Sequence, residues 1–196
     1  GQSNQVNAAS AIIGGDITAH GAKLAAPTPR PSDDIPRGGA RYALNLRNAD
    51  IEGSLYLADG FAAQGGVNLE SAKIGGALQC RDSALAAGEG QALRARGAQV
   101  GGMLALCEGF IASGEVNLES LALEGGLLLD RARFEGAGIA LDMTNSAIKG
   151  AVRGALKADG AVEASGNMWV RFSAGQDQYR AQGRLTAAGG SGAWSS

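Results

Sequence analysis

Aromatic side chains are scarce in this chain. They make up 5% of 196 residues, against 45% hydrophobic residues overall and 32 glycines. A compact globule of this length needs bulky side chains to fill a wide centre. A narrow core repeated along an axis is filled by Leu, Ile, Val and Ala instead, with glycine at its corners. The shortage of rings therefore points to a solenoid. Cysteine is equally rare: Cys80 and Cys107 cannot make a disulfide scaffold, and no CxxC spacing supplies a pair of metal ligands. A single histidine, His20, leaves a typical zinc site short of ligands. Neither sign of charge is in excess, with 17 basic and 19 acidic residues. That balance excludes a large nucleic-acid footprint and an acidic nucleic-acid mimic alike. No apolar run reaches the ~18 residues of a membrane span. Gly1-Gln2-Ser3-Asn4-Gln5 has neither the basic nor the apolar part of a signal peptide. Two cysteines without a disulfide framework fit the reducing cytoplasm. A secreted or surface location after removal of a signal peptide is the alternative.

What is present is a repeat. Ile51-Glu52-Gly53-Ser54-Leu55-Tyr56-Leu57 returns as Ile74-Gly75-Gly76-Ala77-Leu78-Gln79-Cys80, as Val100-Gly101-Gly102-Met103-Leu104-Ala105-Leu106 and as Leu123-Glu124-Gly125-Gly126-Leu127-Leu128-Leu129. A weaker copy begins at Ile148 and a first one at Ile13. From Ile51 the steps are 23, 26, 23 and 25, so two coils form a double repeat of 49; Val67-Asn68-Leu69-Glu70-Ser71 accordingly recurs as Val116-Asn117-Leu118-Glu119-Ser120. Leu55/Leu57, Leu104/Leu106 and Leu127/Leu129 alternate at period two, which places both members of each pair inside a wall of strands. The Gly-Gly pairs suit corners that need a positive φ or a close backbone approach. The step from Ile13 to Ile51 is 38, and the excess lies in residues 26–39, which hold all four prolines. Proline cannot donate to a β-ladder, so this segment is expected to leave the stack as a loop. The expected fold is all-β: a single-domain parallel β-helix of about seven right-handed coils of roughly 23–26 residues, spanning 1–172, then a Gly/Ala/Ser-rich tail over 173–196.

Half of each coil resembles the A(D/N)LXX pattern of pentapeptide-repeat, four-sided β-helices, as in Ala49-Asp50-Ile51-Glu52-Gly53 and Leu44-Asn45-Leu46-Arg47-Asn48. The double repeat is similar to a bacterial family labelled "membrane-associated oxidoreductase". The likeness is carried by Ala92-Leu93-Arg94-Ala95-Arg96-Gly97-Ala98-Gln99-Val100-Gly101-Gly102, by Gly109-Phe110-Ile111-Ala112-Ser113-Gly114-Glu115-Val116, and by Gly60-Phe61 with Ile74–Cys80 one double repeat earlier. It covers roughly residues 43–154. It implies the stacked-coil fold and, by its label, a redox activity.

The residues themselves offer no such chemistry. Gly136-Ala137-Gly138 runs into Ile139-Ala140-Leu141 and breaks a dinucleotide fingerprint, and no GK[ST] follows any glycine loop. No GxSxG elbow accompanies His20, which falls on an outward position. Cys80 takes an inward slot and Cys107, one residue beyond the slot of Leu106, an outward one, so no disulfide is expected. No cofactor and no reaction are expected. One surface candidate remains: Arg81 and Asp82, with Asp130 two coils away, roughly 10 Å by strand spacing. The column Asn45, Asn68, Asn117 and Asp142, interrupted by Arg94, reads as side chains bonding to corner backbone. Residues 6–25 form an incomplete first coil. Met168, Trp169 and Phe172 form a C-terminal plug or an interface for a second copy. The leading functional expectation is a non-catalytic scaffold or protein-interaction solenoid, binding another protein or itself through its coil ends. A carbohydrate-binding or carbohydrate-active surface β-helix comes second, and the oxidoreductase of the family label third.

Overall fold

A computed structural model describes residues 4–27, 42–136, 138–154, 157–158, 161–174, 177–181 and 185–187; beyond Gly154 it describes one side chain, that of Val162, and it leaves out the side chains of 88 and 89. Every described element is a strand. They stack as a four-sided parallel β-solenoid, in which each chain turn, or rung, lays one strand on each of four faces.

The first face joins Val6–Asn7, Leu44–Asn45 and Val67–Asn68, then the last residues of Ala84–Arg94 and of Ile111–Asn117, then Ile139–Arg153 and Ala161–Ala174. The second runs from Ile12–Ile13 through Asp50–Ile51, Lys73–Ile74, Gln99–Val100 and Ala122–Leu123. The third runs from Ile17–Thr18 through Leu55–Tyr56, Leu78–Gln79, Leu104–Ala105 and Leu127–Leu128. The fourth links Lys23–Ala25, Ala62–Gln64, the starts of Ala84–Arg94 and Ile111–Asn117, Arg133–Phe134 and Lys157–Ala158. Four of these turns, over residues 44–64, 67–86, 93–113 and 116–134, are regular and sealed. The rungs that flank them are not, which is where the expected seven coils depart from the regular stack.

Strand residues that point inward form single-file columns: Leu44, Val67, Leu93, Val116 and Leu141 on the first face, Ile51, Ile74, Val100, Leu123 and Ile148 on the second, Leu55, Leu78, Leu104, Leu127 and Val152 on the third. Each is buried against the copy above and below it. One coil alone would leave this stripe in water, so burial comes from stacking. Between the third and fourth faces Phe61, Ser83, Phe110 and Ala132 are buried in alternation of large and small. The Phe110 ring meets Phe134 at 5.8 Å between centroids. Phe61 and Phe110 lie one double repeat apart, so the 49-residue period has a packing cause.

Two kinds of corner close the square. Between the first and second faces the chain makes a β-turn whose third residue has positive φ: Ser10, Asn48, Ser71, Gly97 and Ser120, in each case with the fourth residue's N–H bonded to the first residue's carbonyl. That conformation suits Gly, Asn and small polar residues. Between the second and third faces stand the glycine pairs, and there φ is not the reason for glycine. A Cβ on Gly75 would lie 2.2 Å from the carbonyl oxygen of Glu52, and one on Gly101 the same distance from that of Gly75. Rungs touch backbone to backbone along this corner.

The first rung is complete, carrying a strand on all four faces, where the sequence pattern read as incomplete. At the C-terminal end Ala161–Ala174 is paired along its outer edge, where Asp177–Ala181 and Leu185–Ala187 run antiparallel to it. A last strand with a free edge exposes a row of N–H and C=O groups, and the returning chain satisfies part of that row.

Candidate binding edge

The chain's excursions collect at one corner. From the fourth face to the first, it crosses directly through Gly65-Gly66 and Gly114-Glu115, but takes longer routes between Ala25 and Leu44, between Ala86 and Leu93, and between Glu135 and Leu141. Long and short crossings alternate up the stack. Repeat proteins gather such insertions on one side, often the binding side. Gly66, at φ 78°, marks the close approach: a Cβ there would sit 2.5 Å from the carbonyl oxygen of Gln91. The missing side chain lets the 87–92 excursion lie down on the short crossing below it.

A polar ladder climbs the first face beside this corner. Arg47 Nε reaches Glu70 Oε2 at 3.2 Å, and Arg94 Nη2 donates to Glu70 Oε1 at 2.7 Å. Arg94 Nη1 donates to Gln91 Oε1 at 3.3 Å, and Gln91 Nε2 to Glu115 Oε1 at 3.1 Å. Asn117 Nδ2 donates to the same Glu115 oxygen at 2.7 Å. The Arg94 hydrogen bond, helped by the charge of Arg94 and then Arg47, holds the Glu70 carboxyl below its ordinary range despite partial burial. The same bond raises the Arg94 guanidinium.

Tyr42, where the described chain resumes after the Pro-rich segment, closes the foot of the ladder. Only 7% of it is exposed. Its phenol lies in the field of the Arg94 guanidinium, but neither Tyr42 Oη nor Arg94 Nε has a well-aligned hydrogen-bond partner among the described residues. Burial pushes the Tyr42 hydroxyl above its usual range.

The Asn column has the structural role read from the sequence. Oδ1 of Asn7, Asn45, Asn68, Asn117 and Asp142 each accepts the N–H two residues on, at 2.9–3.3 Å. Arg94 occupies the rung whose crossing is the 87–92 excursion, and it ties that excursion down. Tyr42, Glu70, Gln91 and Glu115 were not singled out from the sequence. Two clues in it meet here: the 26-residue step between Ile74 and Val100, and the break in the Asn column at Arg94.

Arg81, Asp82 and Asp130 stand at the neighbouring corner, between the third and fourth faces. Arg81 and Asp130 do not face each other across an empty rung, because Glu108 lies on the rung between them and pairs with Arg81 at 3.4 Å. Asp82 is a turn residue at φ 45°. One rung pair earlier His20 Nδ1 meets Asp59 Oδ2 at 2.9 Å, with the ring edge-on to Tyr56. This corner is a solvated row of paired charges, of the kind worth little individually. Met168, Trp169 and Phe172 lie in Ala161–Ala174, where backbone pairing sets Met168 opposite Ile148 and Trp169 opposite Ala151. Their side chains lie outside the described residues, as do residues 28–41, which include all of the Pro-rich segment 26–39 but its first two residues.

Both cysteines are free and both are buried, so the outward placement of Cys107 is corrected. At residues 107–110, Glu108 and Gly109 both take positive φ, and this tighter turn tucks Cys107 under the chain, as its counterpart tucks Ala58. Burial raises the Cys107 thiol and pushes that of Cys80 up to about 12, so neither is an activated nucleophile. On the second face a shallow trough of about 270 Å3 crosses four rungs, with Asp50, Glu52, Lys73, Gln99 and Glu124 along it and the glycine corner as part of its floor. No group of three His, Cys, Asp or Glu side chains among the described residues is placed to hold a metal ion. No described helix is long and apolar enough to cross a membrane.

Fold and edge together define a four-sided parallel β-solenoid with an ion-paired loop corner. Comparison of the chain with protein-family models, with curated proteins and with solved structures finds no match.

Proposed function

We propose that the chain is a non-catalytic scaffold or protein-interaction solenoid that associates with itself through the ends of its stack. The observation that carries this reading is where the polar side chains are engaged. Arg47, Glu70, Arg94, Gln91, Glu115 and Asn117 bind one another across rungs, and the Asn/Asp column binds its own backbone. Groups that a catalyst would aim at a substrate here hold coil to coil. What the molecule offers outward is a set of long walls, a corner of excursions and the two ends of a stack. Light scattering over a range of concentrations, on the parent chain and on Trp169→Ser, tests the reading. A mass above that of one chain is expected for the parent at high concentration. A strict monomer at every concentration overturns it.

The trough on the second face supports a second reading, carbohydrate binding. Asp50, Glu52, Lys73 and Gln99 present hydrogen-bonding groups at rung spacing along an open channel. A panel of oligosaccharides that raises the melting temperature, with the rise abolished by Asp50→Ala, favours this second reading. No shift with any of them removes it.

A further inference from the structure

The two ends of the stack are not alike, and the difference determines how self-association proceeds. At the C-terminal end, the edge of Ala161–Ala174 is taken over 162–164 and 170–174 by strands that run antiparallel to it. At the other end, Val6–Asn7, Ile12–Ile13, Ile17–Thr18 and Lys23–Ala25 each pair on one side, with the second rung, and have no further strand partner among the described residues. The interior of this first rung, Ile13, Ile17, Ala22 and Leu24, is half-buried, where the four rungs that follow it are sealed. Its outer wall carries Ile12, 84% exposed, and Val6, which heads the inward column of the first face, is 43% exposed.

The second face supplies the hydrogen-bonding geometry. On successive rungs Asp50, Lys73, Gln99 and Ala122 direct their N–H groups at the preceding rung, to the carbonyls of Ala11, Ala49, Ala72 and Ala98 at 2.8–2.9 Å. Ile12 is the first member of that column, so its N–H faces the open end. The corner glycines behave alike. A Cβ on Gly53, Gly75, Gly101 or Gly125 would strike the preceding rung, whereas one on Gly15 meets nothing within 4 Å.

We propose, building on the self-association reading above, that the first rung is the docking surface for a second copy of this chain, head to head about a two-fold axis at Ile12. Reversing a four-sided coil reverses its winding, so every face of one copy meets the other antiparallel. This solenoid already accepts antiparallel strands on an edge, at its C-terminal end. On the axis Ile12 would oppose its own copy, exchanging N–H and C=O as a hydrogen-bonded antiparallel pair and burying both exposed side chains against each other. The half-buried Ile13, Ile17 and Leu24 would be sealed in the same step. Head-to-tail growth would have to displace the strands at the C-terminal end, so the assembly closes at two.

Light scattering decides the stoichiometry and three variants decide the interface. The parent chain is expected to reach the mass of two 19.6 kDa chains and stop there. Ile12→Lys should weaken the dimer about 100-fold or more, since two apolar side chains lose their cover. Gly15→Ala should weaken it while the monomer still folds, because its new methyl has open space in the single chain. Mild oxidation of Ile12→Cys should give a covalent dimer, and oxidation of Met103→Cys, on the third face, should give none. A mass that grows beyond two overturns the two-fold arrangement and leaves self-association standing. So does a dimer indifferent to Ile12→Lys and Gly15→Ala but dissolved by Trp169→Ser. A strict monomer overturns both.

Discussion

Adding one methyl group to Gly101 should cost this protein more than removing most surface side chains. The corner between the second and third faces is a column of backbone on backbone. Gly101 N–H bonds to the carbonyl of Ile74 at 2.8 Å and Gly102 N–H to that of Gly76 at 2.8 Å, which holds the rungs at strand spacing. A Cβ on Gly101 would stand 2.2 Å from the carbonyl oxygen of Gly75 and 3.0 Å from its carbon. That is about 1 Å short of a tolerable carbon–oxygen approach. The obstacle is main chain, so no rotamer change relieves it. The rungs must part locally, which strains or breaks about two hydrogen bonds at roughly 1 kcal/mol each and adds overpacking of about 1–3 kcal/mol. A loss of about 3–5 kcal/mol is expected, or a melting temperature lower by about 6–20 °C for a domain of this size.

The matched control is Gly14→Ala. Gly14 holds the same place in the motif on the first rung, where a Cβ would meet only Glu52 Oε2 at 3.7 Å, an ordinary contact. In an Ile12→Lys background, which keeps the open end free, Gly14→Ala should melt within about 2 °C of its parent, or slightly above it through the smaller entropy of its unfolded chain. Thermal unfolding followed by far-ultraviolet circular dichroism reads both. If Gly101→Ala also melts within about 2 °C of its parent, these glycines are not required by rung contact and the stacking argument is wrong.

Three further outcomes follow from the ladder and the core. The folded state lowers the Glu70 carboxyl by favouring its ionised form, so the stability this supplies is full above the ordinary value of about 4.3 and is lost as pH falls below it through the folded value. Glu70→Gln should therefore cost about 1–2 kcal/mol at pH 7 and flatten the acid limb of a stability–pH curve; an unchanged acid limb counts against the Arg94 pairing. Tyr42→Phe removes a buried hydroxyl with no well-aligned hydrogen-bond partner among the described residues, so the melting temperature should hold or rise by a few degrees, and a fall of more than about 3 °C would show that its contact with the Arg94 guanidinium stabilises the fold. Leu104→Asp places a charge in a fully buried column and should cost more than about 4 kcal/mol, leaving little folded chain at 37 °C by circular dichroism.

The architecture was legible because its cause is periodic. Leu55/Leu57 and Leu104/Leu106 alternate as strands must, Cys80 falls in register with Leu57 and Leu106, and the Asn column sits where an amide oxygen can reach the N–H two residues on. Each of these depends on neighbours in sequence or on the copy one coil away, and both distances are written in the repeat. Cys107 was misplaced because alternation assumes the strand continues, whereas two consecutive positive-φ residues, Glu108 and Gly109, end it and turn the side chain under. The reason for glycine at the second corner was half legible: the pair marks a corner, but only the rung beneath Gly75 shows that closeness, not φ, demands it. The charged ladder was hidden for a different reason. Arg47 and Glu70 share a place on successive rungs but carry opposite charges, and Arg94, Gln91 and Glu115 hold other places, so no column of like residues announces them; Gln91 joins Arg94 to Glu115 only because a longer crossing at 87–92 brings it back onto the first face. Regular positions of a solenoid can be read one coil at a time. Where a coil is lengthened the register breaks, and what the extra residues touch is decided by the rungs on either side. The corner that collects the excursions is therefore both the part of this molecule least legible in its sequence and the part freest to differ from a plain stack.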